Sequence, residues 1–197
     1  MIYIKKLGFY YNKLNFIDFL RWLLFKVYNN HYRKRTLKSY FYFKRSDVNI
    51  GKRVIIKGIS FDINLGSDIV IYDNCIFEFG INSHLSIGNS CLFSYNVLIQ
   101  NMHNIEIGNY VQIGEYSSIR DTTHQYSDLN IPIKKQKDIS KKIIIKDNVW
   151  IGKGCIILPD TIIEDGVIIG ANSVVKGHLQ KNCIYAGAPI RLIKKRG

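Results

Sequence analysis

The chain has 197 residues, 47% of them hydrophobic, and 28 Lys and Arg against 15 Asp and Glu give a formal charge of +13. That length suits one sizeable domain with an appendage, and no apolar run reaches the ~18 residues of a membrane-spanning helix. The excess charge sits at the ends, in residues 1–50 and in Arg191, Lys194, Lys195 and Arg196. The middle is balanced and offers no groove-entering motif or base-stacking platform, so no nucleic-acid partner is expected.

Residues 1–49 form the first segment. Leu14, Ile17, Leu20, Leu23, Leu24 and Val27 fall at helical spacing, with Phe16, Trp22 and Phe25 widening the stripe. Basic, aromatic-rich sequence follows, from His31 to Arg35 and from Tyr40 to Phe43. Two readings stand: a helix capping the end of the next domain, or an amphipathic helix making peripheral contact with an anionic membrane surface. Lys and Asp interrupt the apolar residues of the N-terminus, unlike a secretory signal. A cytoplasmic location is therefore expected, with the inner membrane face as its variant.

From Ile50 the pattern changes to a strict period of six. Ile145, Ile151, Ile157, Ile163, Ile169 and Val175 form the cleanest run; Ile87, Phe93 and Ile99, then Ile107, Ile113 and Ile119, repeat it after a two-residue slip. This matches neither a helix nor a simple strand. It predicts an all-β solenoid of triangular coils that bury an aliphatic column by stacking, over residues 50–188. Small or β-branched residues recur four positions after each aliphatic, among them Val97, Ser117, Val149, Thr161 and Ser173. Cys75, Cys91 and Cys155 fall on the same small position, and Cys183 lies near the last coil. No zinc-ligand spacing occurs, so the cysteines read as buried fillers and no metal is expected.

Residues 121–142 break the period with DTTHQYSDLNIPIKKQKDISKK, a polar loop extruded from one corner. Such a loop on a rigid coil is where function concentrates. His124 opens it and would stand clear of the coil. Residues 189–197 leave the repeat as a basic tail.

The repeat, the loop string DTTHQYSD, NVWIG, IGANSVV and the exit AGAPIRLIK together resemble the hexapeptide-repeat acyltransferases. Within them the chain looks most like the galactoside and maltose O-acetyltransferases and the polysaccharide O-acetyltransferases. The likeness covers roughly residues 50–196 and does not extend to the first 49. It implies a left-handed parallel β-helix, a homotrimer with active sites between subunits, and acetyl-CoA as acyl donor.

By the same resemblance His124 is the general base, Asn96 contacts the acceptor sugar, and the backbone N–H of Lys153 serves the oxyanion. Gly152, Lys153 and Ala171 match positions along the coenzyme arm, with Trp150 beside it. Lys176, Arg191 and Lys194 match cationic positions at its phosphates. Lys153 and Val175 depart from the residues common in the family at those positions. The reaction implied is O-acetylation of a sugar hydroxyl, on a capsular or lipopolysaccharide glycan or its precursor. Two rivals stand beside it: N-acetylation of an amino sugar or other small amine, and a non-catalytic binding solenoid. A carbonic anhydrase of this fold would need three histidines on a metal, and the spacings of His84, His103, His124 and His178 do not supply the close pair expected there.

Overall fold

The computed structural model describes residues 47–58 and 60–197; the helix expected near the N-terminus and its two readings lie outside them. The described chain is a parallel β-solenoid of three faces, the left-handed β-helix of hexapeptide repeats. The first face stacks Val48–Ile50, Ile69–Ile71, Leu92–Phe93, Gln112–Ile113, Trp150–Ile151, Ile168–Ile169 and Cys183–Ala186. The second stacks Ile55–Lys57, Ile76–Phe79, Leu98–Asn101, Ser118–Arg120 and the leading parts of Ile156–Ile163 and Val174–Leu179. The third stacks Phe61–Leu65, Ser83–Ile87, Asn104–Ile107, Ile143–Ile145 and the trailing parts of those two long strands. Among the described residues the first strand of the solenoid is Val48–Ile50.

The expected aliphatic column is the core. Ile145, Ile151, Ile157, Ile163, Ile169 and Val175 are all buried, as are Cys75, Cys91, Cys155 and the other small residues. Burial pushes the Cys75 thiol up to about 11 and raises those of Cys91 and Cys155, which leaves them protonated fillers. Inward hydroxyls find backbone partners. Ser117 Oγ donates to the Gly152 carbonyl at 3.0 Å and accepts from the Cys155 N–H at 3.1 Å. Ser173 Oγ likewise donates to the Gly170 carbonyl at 2.6 Å. Ile157→Ala is expected to cost about 2–5 kcal/mol, because a closed column cannot collapse around the missing methyls. Denaturant unfolding of wild type and variant measures it.

Every departure from the six-residue period is absorbed at one corner, between the second and third faces. Inward steps across the other two corners are always six, as from Ile71 to Phe77 and from Leu65 to Ile71. Across this corner the steps from Ile56 to Leu65, Phe77 to Ile87, Ile99 to Ile107 and Ile119 to Ile145 are longer, and that from Val175 to Leu179 is shorter. The extruded segment is the largest of these insertions.

That segment is more ordered than a loop. Thr122–His124 pairs antiparallel with Asp138–Ser140, and a single 3-10 turn, Ile133–Lys135, lies beyond them. The result is a two-stranded arm. The predicted tail also folds back: Arg191–Lys195 runs antiparallel to Cys183–Ala186 and covers the last edge of the first face, which an open solenoid would leave unpaired.

Candidate active site

The arm is rooted by Asp121, whose side chain is fully buried. Its carboxylate accepts the backbone N–H groups of Met102, His103 and Asn104 at 2.7, 2.7 and 2.8 Å. Burial pushes this carboxyl up, and the three donors pull it back toward the ionised form. The Asp121 carbonyl accepts the Lys141 N–H at 2.7 Å, which closes the arm where it leaves the coil.

On the arm His124 lies directly opposite Asp138, and His124 Nδ1–H donates to Asp138 Oδ1 at 2.6 Å. A carboxylate only accepts, so this bond places the proton on Nδ1 and leaves the Nε2 lone pair outward. The imidazole is 73% exposed and lines a shallow depression of about 460 Å³ with Ile133, Lys134, Gln136 and Asp138. The sequence gives no sign of Asp138, since only antiparallel pairing across the inserted segment brings it to His124. Asp138→Ala is expected to lower kcat about a hundredfold by letting the ring drift. KM for the acyl donor should stay unchanged, and steady-state kinetics separates the two.

The other predicted residues divide between places on the coil. Asn96, Lys153 and Ala171 share the corner between the first and second faces, with the coil of Tyr116 between Asn96 and Lys153 and the coil of Ala171 directly after. Asn96 adopts φ +60°, in line with Asn74, Tyr116, Gly154 and Asn172 at the same corner. Asparagine tolerates that left-handed geometry, so the position has a conformational reason for its residue. Its side-chain amide makes no hydrogen bond among the described residues and is free for a ligand. The Lys153 backbone N–H also lacks an acceptor among them. The Lys153 side chain pairs with Glu115 at 3.5 Å and lies 5.5 Å from the centre of the Tyr116 ring.

Gly152 lets these corners close. A Cβ there would meet the Ala171 nitrogen at 2.7 Å and the Ile169 carbonyl oxygen at 2.8 Å, both backbone. Trp150 projects from the first face, 54% exposed, between Gln112 and Ile168. Arg191 and Lys194 stand on the closing strand, opposite Ala186 and Ile184. Lys176 lies instead at the corner that bears the arm, near Asp160. Within one protomer, therefore, His124 and Lys176 occupy one corner, while Asn96, Lys153 and Ala171 occupy another. Among the described residues no group of three or more His, Cys, Asp or Glu is placed to hold a metal.

Residues 142–177 match the family model described as bacterial transferase hexapeptide (six repeats). Over those residues the chain is similar to the hexapeptide-repeat transferases. Among its relatives is Escherichia coli K12 WbbJ, named as a lipopolysaccharide biosynthesis O-acetyl transferase. The two are 34% identical over 113 residues, 47% of this chain and 58% of WbbJ. The galactoside O-acetyltransferase of Escherichia coli K12 is 32% identical over 120 residues, 60% of this chain and 57% of that protein. The first three curated relatives are matched over only 31% to 58% of their own length. In structure, the chain resembles AntD, an N-acyltransferase from Bacillus cereus solved with dTDP and 3-hydroxybutyryl-CoA. The TM-score is 0.62 at 27% identity, covering 83% of this chain and 90% of AntD.

Proposed function

We propose that this chain is an acetyl-CoA-dependent O-acetyltransferase acting on a sugar hydroxyl, with His124 as general base. The observation that carries the reading is the His124–Asp138 pair. A base with its proton fixed on Nδ1 is held on a rooted arm, and its Nε2 is directed away from the carboxylate. Nε2 takes the proton of the acceptor hydroxyl as its oxygen attacks the thioester carbonyl. The carbon–sulfur bond then breaks and the coenzyme thiolate recovers the proton from His124. No covalent enzyme intermediate is needed, because holding both substrates together supplies much of the rate. The Lys153 N–H is the donor for the oxyanion.

The division of these residues between two corners, which a second copy would reunite, supports a homotrimer with sites between subunits. The outward surfaces support it too. The first face carries Val70, Leu92, Trp150, Ile168 and Ile184 in a row interrupted by Gln112, and the second carries Ile76, Leu98, Ile156 and Val174 in a row interrupted by Ser118. The third is mostly polar, with Asp62, His84 and Asn104 in one row and Asn64, Ser86, Glu106 and His178 beside Ile144 and Ile162 in the next. On the arm Leu129, Ile131 and Ile133 are also exposed. Apolar rows on two faces and a polar third suit a chain with neighbours on two sides.

The likeness to WbbJ and to galactoside O-acetyltransferase favours a sugar acceptor, in a capsular or lipopolysaccharide glycan or its precursor. The likeness to AntD favours a second reading, transfer to an amino sugar. Thiol release from acetyl-CoA across a panel of hydroxyl and amino sugars tests both. An ester product is cleaved by hydroxylamine and an amide is not. Absence of release with every acceptor, together with absence of acetyl-CoA binding, would overturn the transferase reading.

A further inference from the structure

We propose that the acceptor is an extended glycan, laid across several coils on a diagonal stripe of tyrosines at the corner that carries Asn96. This rests on the acyl-transfer reading above and names its acceptor class. Tyr72, Tyr95 and Tyr116 follow the inward residues Ile71, Phe93 and Ile113 on successive coils, each one position further around the corner. The stripe therefore crosses the corner obliquely. The rings of Tyr72 and Tyr95 stack with centroids 4.9 Å apart and planes 8° apart. All three residues stay open, at 37%, 48% and 62% exposure in chain order. None of their hydroxyls has a hydrogen-bond partner among the described residues, and neither does the Asn96 amide directly below Tyr116.

Single exposed tyrosines need no explanation. A stacked pair continued by a third ring is different, because stacking fixes the first two rings and Lys153 Nζ stands 5.5 Å from the centre of the third. Tyrosine offers broad apolar area at low conformational-entropy cost, with a hydroxyl that both donates and accepts. Apolar ring surface combined with free hydroxyls and an amide matches a sugar chain, whose own surface alternates C–H and hydroxyl groups. Successive strands lie about 4.8 Å apart, so the stripe spans about 10 Å, more than one sugar ring covers. Beside it Glu115 pairs with Lys153 at 3.5 Å, and Asp73 Oδ1 accepts the Lys52 backbone N–H at 2.8 Å. The stripe ends at Tyr116, one coil before the Lys153 N–H, so the end of a bound chain would arrive where the thioester is expected.

The test is titration of the full chain, without coenzyme, with glucose, galactose and N-acetylglucosamine, each as a series from monomer to hexamer. Affinity should rise at least tenfold with length in one series. Tyr95→Ala should abolish that gain and Tyr95→Phe should keep most of it, and acetyl-CoA binding in Tyr95→Ala reports that the solenoid is intact. Affinity independent of length in all three series would overturn the proposal, as would wild-type oligomer binding by Tyr95→Ala. So would dissociation of the assembly in Tyr95→Ala, which would assign the stripe to contact between copies. Failure of the wild type to bind acetyl-CoA would overturn the transferase reading, on a titration separate from the glycan series.

Discussion

His124→Ala is expected to cut acyl transfer about 10³-fold, within the range a positioned general base supplies. Coenzyme binding should be retained, because His124 stands on the arm and the residues assigned to the coenzyme stand on the coil. The measurement is thiol release beside direct acetyl-CoA titration of the same variant. The effect should exceed that of Asp138→Ala, which leaves the imidazole in place with its orientation loosened. If His124→Ala retained most of the activity, the base would have to be sought elsewhere. His84 and His178 are the described alternatives, for each also faces a carboxylate, Asp62 at 3.0 Å and Glu164 at 2.9 Å. Neither stands on an arm: both lie on the third face of the coil.

The comparison with Asn96 sharpens this expectation. Asn96→Ala removes a hydroxyl-recognising amide and also a residue suited to positive φ. A fall in its activity would therefore mix recognition with strain. Asn96→Gly keeps the backbone permissive and removes only the amide, so it is the cleaner probe. A rise in acceptor KM with Asn96→Gly would assign Asn96 to recognition.

The solenoid was legible because its cause is local. Ile145, Ile151 and Ile157 repeat at a fixed step and each buries the same way, so the core can be listed from the sequence. Where the step varies, the sequence shows only that something has been inserted. That Ile99 to Ile107 and Ile119 to Ile145 lengthen at the same corner emerges from strand register, which no local pattern encodes. The same limit hides Asp138. It lies fourteen residues after His124 in a stretch dominated by lysine, and antiparallel pairing of the arm alone makes it a partner. The C-terminal tail shows the same limit. No local pattern marks Arg191–Lys195 as a strand, and the exposed edge of the first face supplies its backbone partners.

Asp121 is where this arrangement can be broken most directly. Asp121→Ala would strand three backbone donors, those of Met102, His103 and Asn104, beneath the arm. Each unsatisfied buried donor costs about 1–3 kcal/mol. Partial rehydration at the corner should lower the sum, so a loss of about 3 kcal/mol is expected. For a chain of this size that corresponds to roughly 6–12 °C in Tm. Asp121→Asn keeps one carbonyl acceptor but turns an N–H₂ group toward other donors, so it should fall between wild type and alanine. The site should suffer beyond its share of stability, because the loosened corner is the root of the arm, where the Asp121 carbonyl meets the Lys141 N–H of the returning strand. Cleavage of the arm by protease should therefore rise at temperatures where the solenoid, followed by far-UV circular dichroism, is still folded. Loss of activity in parallel with arm cleavage would show that Asp121 acts by holding His124 in place. Equal stability and equal arm cleavage in Asp121→Ala and wild type would mean that water replaces the carboxylate at this corner without cost.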